Sequence, residues 1–167
     1  MEKKYFGTDG IRGKAFELLN NDLAFNIGQA IAKKFSPETI VIGQDTRLSS
    51  NMLAYGIAYG ASLAGVNVIM AQVVSTPMIA YYSKMKNIIG VMITASHNPY
   101  TDNGIKIFKS GYKMLDKEEY ELESYIDSKP VLEVRPLGKI SINDDVETTY
   151  LEVYKNLLNN LDLKVAF

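Results

Sequence analysis

Residues 52–71 read MLAYGIAYGASLAGVNVIMA, a stretch with only two plainly polar side chains, Ser62 and Asn67. Gly56 and Gly60 stand at the spacing of a membrane dimer motif, so a transmembrane helix has to be weighed against a buried helix that leads into a strand. Two features decide for the second. Gly56, Gly60 and Gly65 dilute the hydropathy, and Gly65-Val66-Asn67 followed by Val68-Ile69-Met70 reads as a helix end feeding a β-branched strand. The stretch is a helix packed closely on a sheet through small residues, with a strand from Val66 to Ala71.

The same alternation extends on both sides. Upstream, Asn21-Asp22 caps a helix running to about Phe35, with Leu23, Ile27, Ala30, Ile31 and Phe35 near a 3.6-residue period, and Ser36-Pro37 ends it. Thr39 to Gly43 is a short apolar strand, and Gln44 to Ser50 a polar loop in which Ser49 or Ser50 caps the Gly-rich helix. Downstream, Thr76-Pro77 opens a third helix to about Lys86, and Ile88 to Thr94 is a fourth apolar run. Repeated strand and helix units of this size predict an α/β fold, a three-layer α/β/α sandwich around a mixed, mostly parallel sheet. In such sheets ligands sit beyond the carboxyl ends of the strands.

After Thr94 the pattern changes. Asn98-Pro99 and Asn103-Gly104 are turn dipeptides, and Ile105 to Phe108, Ser110-Gly111 and Tyr112 to Leu115 read as a β-hairpin. Asp116 starts a charged helix to about Ile126. Pro130 to Ile142 is loop plus a short strand, and Asp144 to Asn160 is an amphipathic helix with Val146, Tyr150, Val153, Tyr154, Leu157 and Leu158 on its apolar side. Asp144-Asp145 reads as a helix N-terminus with a favourable dipole charge.

Composition narrows the function. The chain has 167 residues, with 18 Lys+Arg against 19 Asp+Glu, one His and no Cys. That is one ordinary domain with material for a real core. A net charge of −1 removes the electrostatic case for nucleic acid, which needs a basic face. Without cysteine there is no disulfide scaffold, thiolate metal site or cysteine nucleophile. The start MEKKYFG has no apolar run before a small-residue cleavage site, so the expectation is a soluble cytoplasmic protein with no membrane association. The end, Leu161 to Phe167, alternates like a strand that begins and is then cut, which suggests a piece of something longer.

Two segments carry chemistry. Thr94-Ala95-Ser96-His97-Asn98-Pro99 follows an apolar strand directly, so Ser96 is presented where open α/β sheets bind ligands. Adjacent positions in an extended segment would point Ser96 and His97 oppositely, a poor nucleophile and base pair, and no G-x-S-x-G elbow surrounds Ser96. Taken alone, the segment reads equally well as polar residues satisfying a turn. The second is Tyr5-Phe6-Gly7-Thr8-Asp9-Gly10-Ile11-Arg12-Gly13. Its three glycines around Thr8, Asp9 and Arg12 suit a backbone that approaches an anion closely while a guanidinium grips it. It is neither a Walker A loop nor a dinucleotide fingerprint.

The ordered set FGTDGIRG, GQDTRLSS, STP and TASHNPYTDNGIKIF over residues 5–108 resembles the α-D-phosphohexomutases, closest to the bacterial phosphoglucosamine mutases. The resemblance implies that the fold is their first domain, and that Ser96 is carried as phosphoserine. It further implies that glucosamine 6-phosphate and glucosamine 1-phosphate are interconverted through a bound 1,6-bisphosphate, with glucosamine or glucose 1,6-bisphosphate as activator, for amino-sugar nucleotide and cell-wall precursor synthesis. His97 corresponds to the loop histidine beside the phosphoserine, and Lys106 to the lysine assigned proton transfer at the sugar hydroxyl. Thr8 and Arg12 would contact phosphate, with Arg47 a further anion contact at a helix N-terminus. The same resemblance implies Mg²⁺ held by the phosphoserine oxygen of Ser96 plus three aspartates of a DGDxDR-type motif. No such motif occurs in this sequence, and the family's sugar-recognition and distal phosphate loops are also absent. Residues 1–148 are then expected to form the phosphoserine domain, and residues 149–167 a connecting helix and the first strand of a second domain. Downstream domains would complete the site and the chain alone would be inactive. The competing readings are a sister mutase acting on glucose or mannose phosphates, and a binding domain that keeps the fold without the chemistry. Each cation also has a structural reading: Lys106 as a solvated hairpin residue beside apolar Ile105 and Ile107, Arg12 as a tie to Asp9 or Asp45, and Arg47 as the partner of Asp45.

Overall fold

The computed structural model describes residues 3–129, 136–143 and 145–158. In chain order the elements are β1 (Phe6–Gly7), β2 (Gly10–Lys14), α1 (Asn21–Phe35), β3 (Thr39–Gln44), α2 (Ser50–Leu63), β4 (Asn67–Val73), α3 (Thr76–Lys86), β5 (Ile89–Ile93), β6 (Asp102–Lys109), β7 (Tyr112–Lys113), α4 (Asp116–Ser128), β8 (Ile140–Ile142) and α5 (Asp145–Leu158). They form one eight-stranded sheet in the order β1-β2-β6-β5-β3-β4-β8, with β7 paired to β6. β3 pairs in parallel with β4 and β5, and β4 with β8. The other half, β1 with β2, β2 with β6, β6 with β5 and with β7, is antiparallel.

The apolar runs read from the sequence are the strands buried on both faces. In β3, Ile40 and Ile42 enter the core beneath α1, α2 and α4, whereas Val41 between them joins Ile79, Tyr82 and Val146 of α3 and α5 on the opposite face. This period-two partition, repeated by Val91 and Met92 of β5, is what makes three layers. Fully burying each such Ile or Leu contributes about 1.5–3 kcal/mol.

The stretch 52–71 divides as expected into α2 and β4, and among the described residues no helix is long and apolar enough to cross a membrane. Its glycines face another helix of the same molecule. A Cβ on Gly60 would lie 2.1 Å from the carbonyl oxygen of Phe25, and one on Gly28 would lie 2.2 Å from that of Ile57. The small residues let α1 and α2 touch backbone to backbone.

Several local expectations shift. α1 is capped one residue earlier, by Asn20, whose side chain accepts from the N–H of Leu23. Neither Ser49 nor Ser50 caps α2, because both hydroxyls are drawn into a buried network described below. The glycine-rich segment 5–13 is a hairpin, since Gly10 at φ 83° turns the chain between β1 and β2. Asn103-Gly104 is no turn but lies inside β6, where a Cβ on Gly104 would stand 2.5 Å from the carbonyl oxygen of Thr94. The charged helix α4 buries one stripe: Glu119, Leu122, Glu123 and Ile126, at helical spacing, are all buried. Glu123 accepts the backbone N–H groups of Lys4, Tyr5 and Phe6, which ties the β1 strand to α4. α5 runs unbroken across the boundary expected after residue 148, with Val146 buried in its first turn. Residue 144 and the strand expected over 161–167 lie outside the described residues.

Candidate functional site

The topology itself makes a crevice. From β3 the chain crosses over one face through α2 to β4, then returns over the other face through α3 to β5, on the far side of β3. The loops leaving the carboxyl ends of β3 and β5 therefore meet at a reversal of strand order, where open α/β sheets place ligands. These loops are Asp45–Ser49 and Thr94–Thr101.

Arg47 joins them. Its Nη1 donates to the carbonyls of Pro99 (2.6 Å) and Asp102 (3.0 Å), its Nη2 to those of Ser96 and Asn98 (2.9 Å each), and its Nε to Asp45 Oδ2 (3.0 Å). All five guanidinium N–H groups are thereby engaged, and Arg47 cross-braces the loop. Its structural reading, pairing with Asp45, is realised. Asp45 in turn accepts from the Ser50 hydroxyl at 2.6 Å and from the backbone N–H of Arg47 at 3.1 Å. Burial pushes the Asp45 carboxyl upward, but bonds from Ser50, the Arg47 backbone, Thr94 and the Arg47 guanidinium outweigh it and hold the group below its usual range. Buried Asn103 completes the bracket, donating to Ser49 and Ser50 Oγ while accepting from the N–H of Gly104.

Within this bracket Ser96 adopts φ 57°, the left-handed region that a non-glycine residue enters at a cost. Its N–H donates to Thr94 Oγ1 at 3.0 Å, and the N–H of Asn98 to the carbonyl of Ala95 at 3.1 Å. The segment is thus a tight turn, not an extended one, and this corrects the expected divergence of Ser96 and His97. Ser96 Oγ lies 3.4 Å from His97 Nδ1, and both side chains are exposed.

The second wall comes from the β1–β2 hairpin. In the antiparallel pairing Arg12 stands opposite Gly104, so Arg12 and Lys106 share a face as diagonal neighbours. Arg12 donates from Nη1 to Asn98 Oδ1 (2.8 Å) and from Nη2 to Asp9 Oδ2 (2.5 Å), and Lys106 Nζ meets the same Asp9 oxygen at 2.8 Å. Lys106 first, and Arg12 with it, hold the Asp9 carboxyl below its usual range against the opposing effect of burial. The Lys106 side chain is mostly buried, not solvated, on the sheet face opposite Ile105 and Ile107. The Nε of Arg12 is buried and has no hydrogen-bond partner among the described residues. Lys113 donates to the carbonyl of Thr8 at 2.7 Å, fixing the hairpin tip. Between hairpin and loop lies an open cleft of about 460 Å³, lined by Tyr5, Thr8, Asp9, Arg12 and His97 together with Gly7 and Gly10.

The structure thus brings Thr8, Arg12 and His97 onto one cleft, with Lys106 tied to it through Asp9 and Ser96 beside His97. A hydroxyl presented on a braced turn next to converging cations suits group transfer involving a dianion. Sequence reading gave Asp9 as a tie for Arg12, which the structure holds, and passed over its second partner Lys106, Asn98 as the partner of Arg12, and Lys113. For the hairpin tip a signal existed in Glu119 and Glu123, acids placed on an apolar stripe. The described residues do not by themselves fit a Mg²⁺ ion. Ser96 supplies one oxygen, the carboxylates of Asp9 and Asp45 are held by cations and hydroxyls, and no cluster of three or more potential ligands exists among the described residues.

Residues 3–131 match the family model described as phosphoglucomutase/phosphomannomutase, alpha/beta/alpha domain I. A phosphoglucosamine mutase of Carboxydothermus hydrogenoformans is 44% identical over 141 residues, 81% of this chain and 32% of that protein. One from Thermotoga maritima is 36% identical over 163 residues, 98% of this chain and 38% of that protein. A solved structure of a phosphoglucomutase/phosphomannomutase family protein from Burkholderia thailandensis superposes with a TM-score of 0.77 at 25% identity, covering 98% of this chain and 36% of its own. The chain therefore spans a little over a third of the length of such relatives.

Proposed function

The chain belongs to the phosphoglucomutase/phosphomannomutase family, and from that premise we propose that it is the phosphoserine-bearing domain of a phosphoglucosamine mutase. The observation that carries the reading is the braced turn: Ser96, held at φ 57° by a loop whose carbonyls are clamped by Arg47, exposes its hydroxyl beside a cation-lined cleft. Phosphoryl transfer asks for in-line positioning and neutralised charge more than for a strong base, and these residues offer both. In the forward half-reaction the O1 hydroxyl of glucosamine 6-phosphate attacks the phosphorus on Ser96. A new P–O bond forms to the sugar, the P–Oγ bond breaks, and the hydroxyl proton ends on the departing Oγ of Ser96. The resulting 1,6-bisphosphate turns over, and its 6-phosphoryl group returns to Ser96, leaving glucosamine 1-phosphate. Arg12 and Lys106 neutralise the transferring group, Thr8 supplies a hydroxyl contact, and His97, adjacent to Ser96 Oγ, orients or donates to it. Since the described residues do not fit Mg²⁺, no step is assigned to it.

The 44% identity to a phosphoglucosamine mutase favours glucosamine over the glucose and mannose phosphates of sister enzymes. Mass spectrometry of the full-length protein from cells is expected to find one added phosphoryl group on the Ser96 peptide, and a substrate panel on that protein to prefer glucosamine phosphates. The 167-residue chain by itself is expected to show no turnover. A persistently unmodified Ser96 would replace this reading with that of a binding domain.

A further inference from the structure

The cleft already contains an anion. Asp9 Oδ2 is shared by Nη2 of Arg12 and Nζ of Lys106, the two cations that a phosphoryl group in this cleft would need. Unlike Asp45, which backbone, hydroxyl and guanidinium groups lock into the loop bracket, Asp9 sits on a hairpin turn with its side chain 52% exposed. Among the described contacts its carboxylate has no partner besides those two cations. It can therefore swing away without breaking the fold.

The charges show what that would do. Arg12 and Lys106 with Asp9 sum to about +1, and a phosphoserine brings roughly −1.5 to −2. Without Asp9 the two cations would stand unscreened against each other, and would then hold a dianion at nearly full neutralisation. A carrier that must give its phosphoryl group back gains nothing from a ground state bound that tightly, since uniform binding does not speed the chemical step. We propose that Asp9 is a competitor built into the cleft. Its carboxylate holds Arg12 and Lys106 while no phosphoryl group is present, and it yields them when one enters, which keeps the group weakly enough bound to leave. The inference rests on the phosphoryl-transfer reading of the site. Asp9 acts through the two cations, as a positioning residue.

The test is a titration of the full 167-residue chain with inorganic phosphate, followed by NMR at the amides of Thr8, Gly10 and Arg12 and at the His97 ring. Asp9→Asn and Asp9→Ala are expected to bind phosphate about five- to tenfold more tightly than the unmodified chain, the size expected for removing one half-exposed charge near the anion. Asp9→Glu is expected to return affinity close to the starting value. In the full-length enzyme, Asp9→Asn is expected to lower kcat and KM together. A mere strut for Arg12 would give the opposite result: weaker or unchanged phosphate binding in both neutral variants, with a raised KM. That outcome, or no response to phosphate in any variant, overturns the proposal. The phosphoryl-transfer reading is judged separately by the modification of Ser96.

Discussion

The loop bracket around Asp45 and Arg47 and the cleft around Asp9 and Arg12 are built from the same materials, an aspartate two or three positions before an arginine on either side of one turn. In the bracket every guanidinium N–H finds an acceptor, and the arginine side chain is only 12% exposed. In the cleft Arg12 is 25% exposed, its Nε has no partner, and its aspartate is shared with Lys106. A saturated polar network fixes a shape, whereas one with spare capacity can take up a ligand. The bracket is thus read as what holds the turn, and the cleft as what acts on it.

The largest effect expected of any change is on activity. Ser96→Ala in the full-length enzyme should lower turnover by at least about 10³-fold, because the acceptor oxygen of the covalent step is gone. Its unfolding free energy should stay within about 0.5 kcal/mol of the parent's, as for other exposed side chains. Retained turnover would remove Ser96 from the chemistry and with it the division between bracket and cleft. Next, Arg12→Gln should cost roughly 10²-fold in kcat/KM, the scale of losing one charge-stabilising donor in an active site, and less than about 1 kcal/mol in urea denaturation. Arg47→Ala should invert that balance. Leaving four loop carbonyls and Asp45 without their donor should destabilise the domain by about 3 kcal/mol, and hydrogen exchange at the Asn98 and Asp102 amides should accelerate. If Arg47→Ala proves as stable as the parent, the bracket is not what holds the turn.

The smallest effect separates the two aspartates by pH. The Asp45 carboxyl is held low by Ser50, Thr94 and Arg47 despite its burial. A depressed folded pKa contributes stability that is fully present above the unfolded value of about 4 and is lost as pH falls through the lower folded value. The parent should therefore lose more stability than Asp45→Asn between pH 5 and the acid limit of folding, measured by urea denaturation at each pH. Asp9→Asn should flatten the acid branch much less, since the Asp9 side chain is 52% exposed and solvent screens its pairing.

How far the sequence could be read follows from the same contrast. The strands and helices from Asn21 to Ile93 were legible because hydrophobic runs and 3.6-residue periods are local signals, and the Gly56 and Gly60 spacing announced close packing. The hairpin at Phe6–Lys14 was not legible as sheet. Its strands are short, and their pairing partner β6 lies some ninety residues away. Asn103-Gly104 carries a turn signature, yet it is held as strand by two serines at the start of α2, Ser49 and Ser50, and by a close approach to Thr94.

By itself, the order of motifs determined which side chains are available: a serine, a histidine and a lysine near residues 96–106, a glycine-flanked arginine near the start, and an arginine after the apolar strand Thr39–Gly43. Apolar patterning determined that they sit on an α/β/α sheet. Only the tertiary structure decided which arginine is saturated with acceptors and which keeps an unpartnered N–H. That choice depends on long-range register, Arg12 opposite Gly104 and Arg47 beneath the carbonyls of residues 96–102. No local propensity encodes it, because hydrogen-bond saturation is a property of groups brought together from distant parts of the chain.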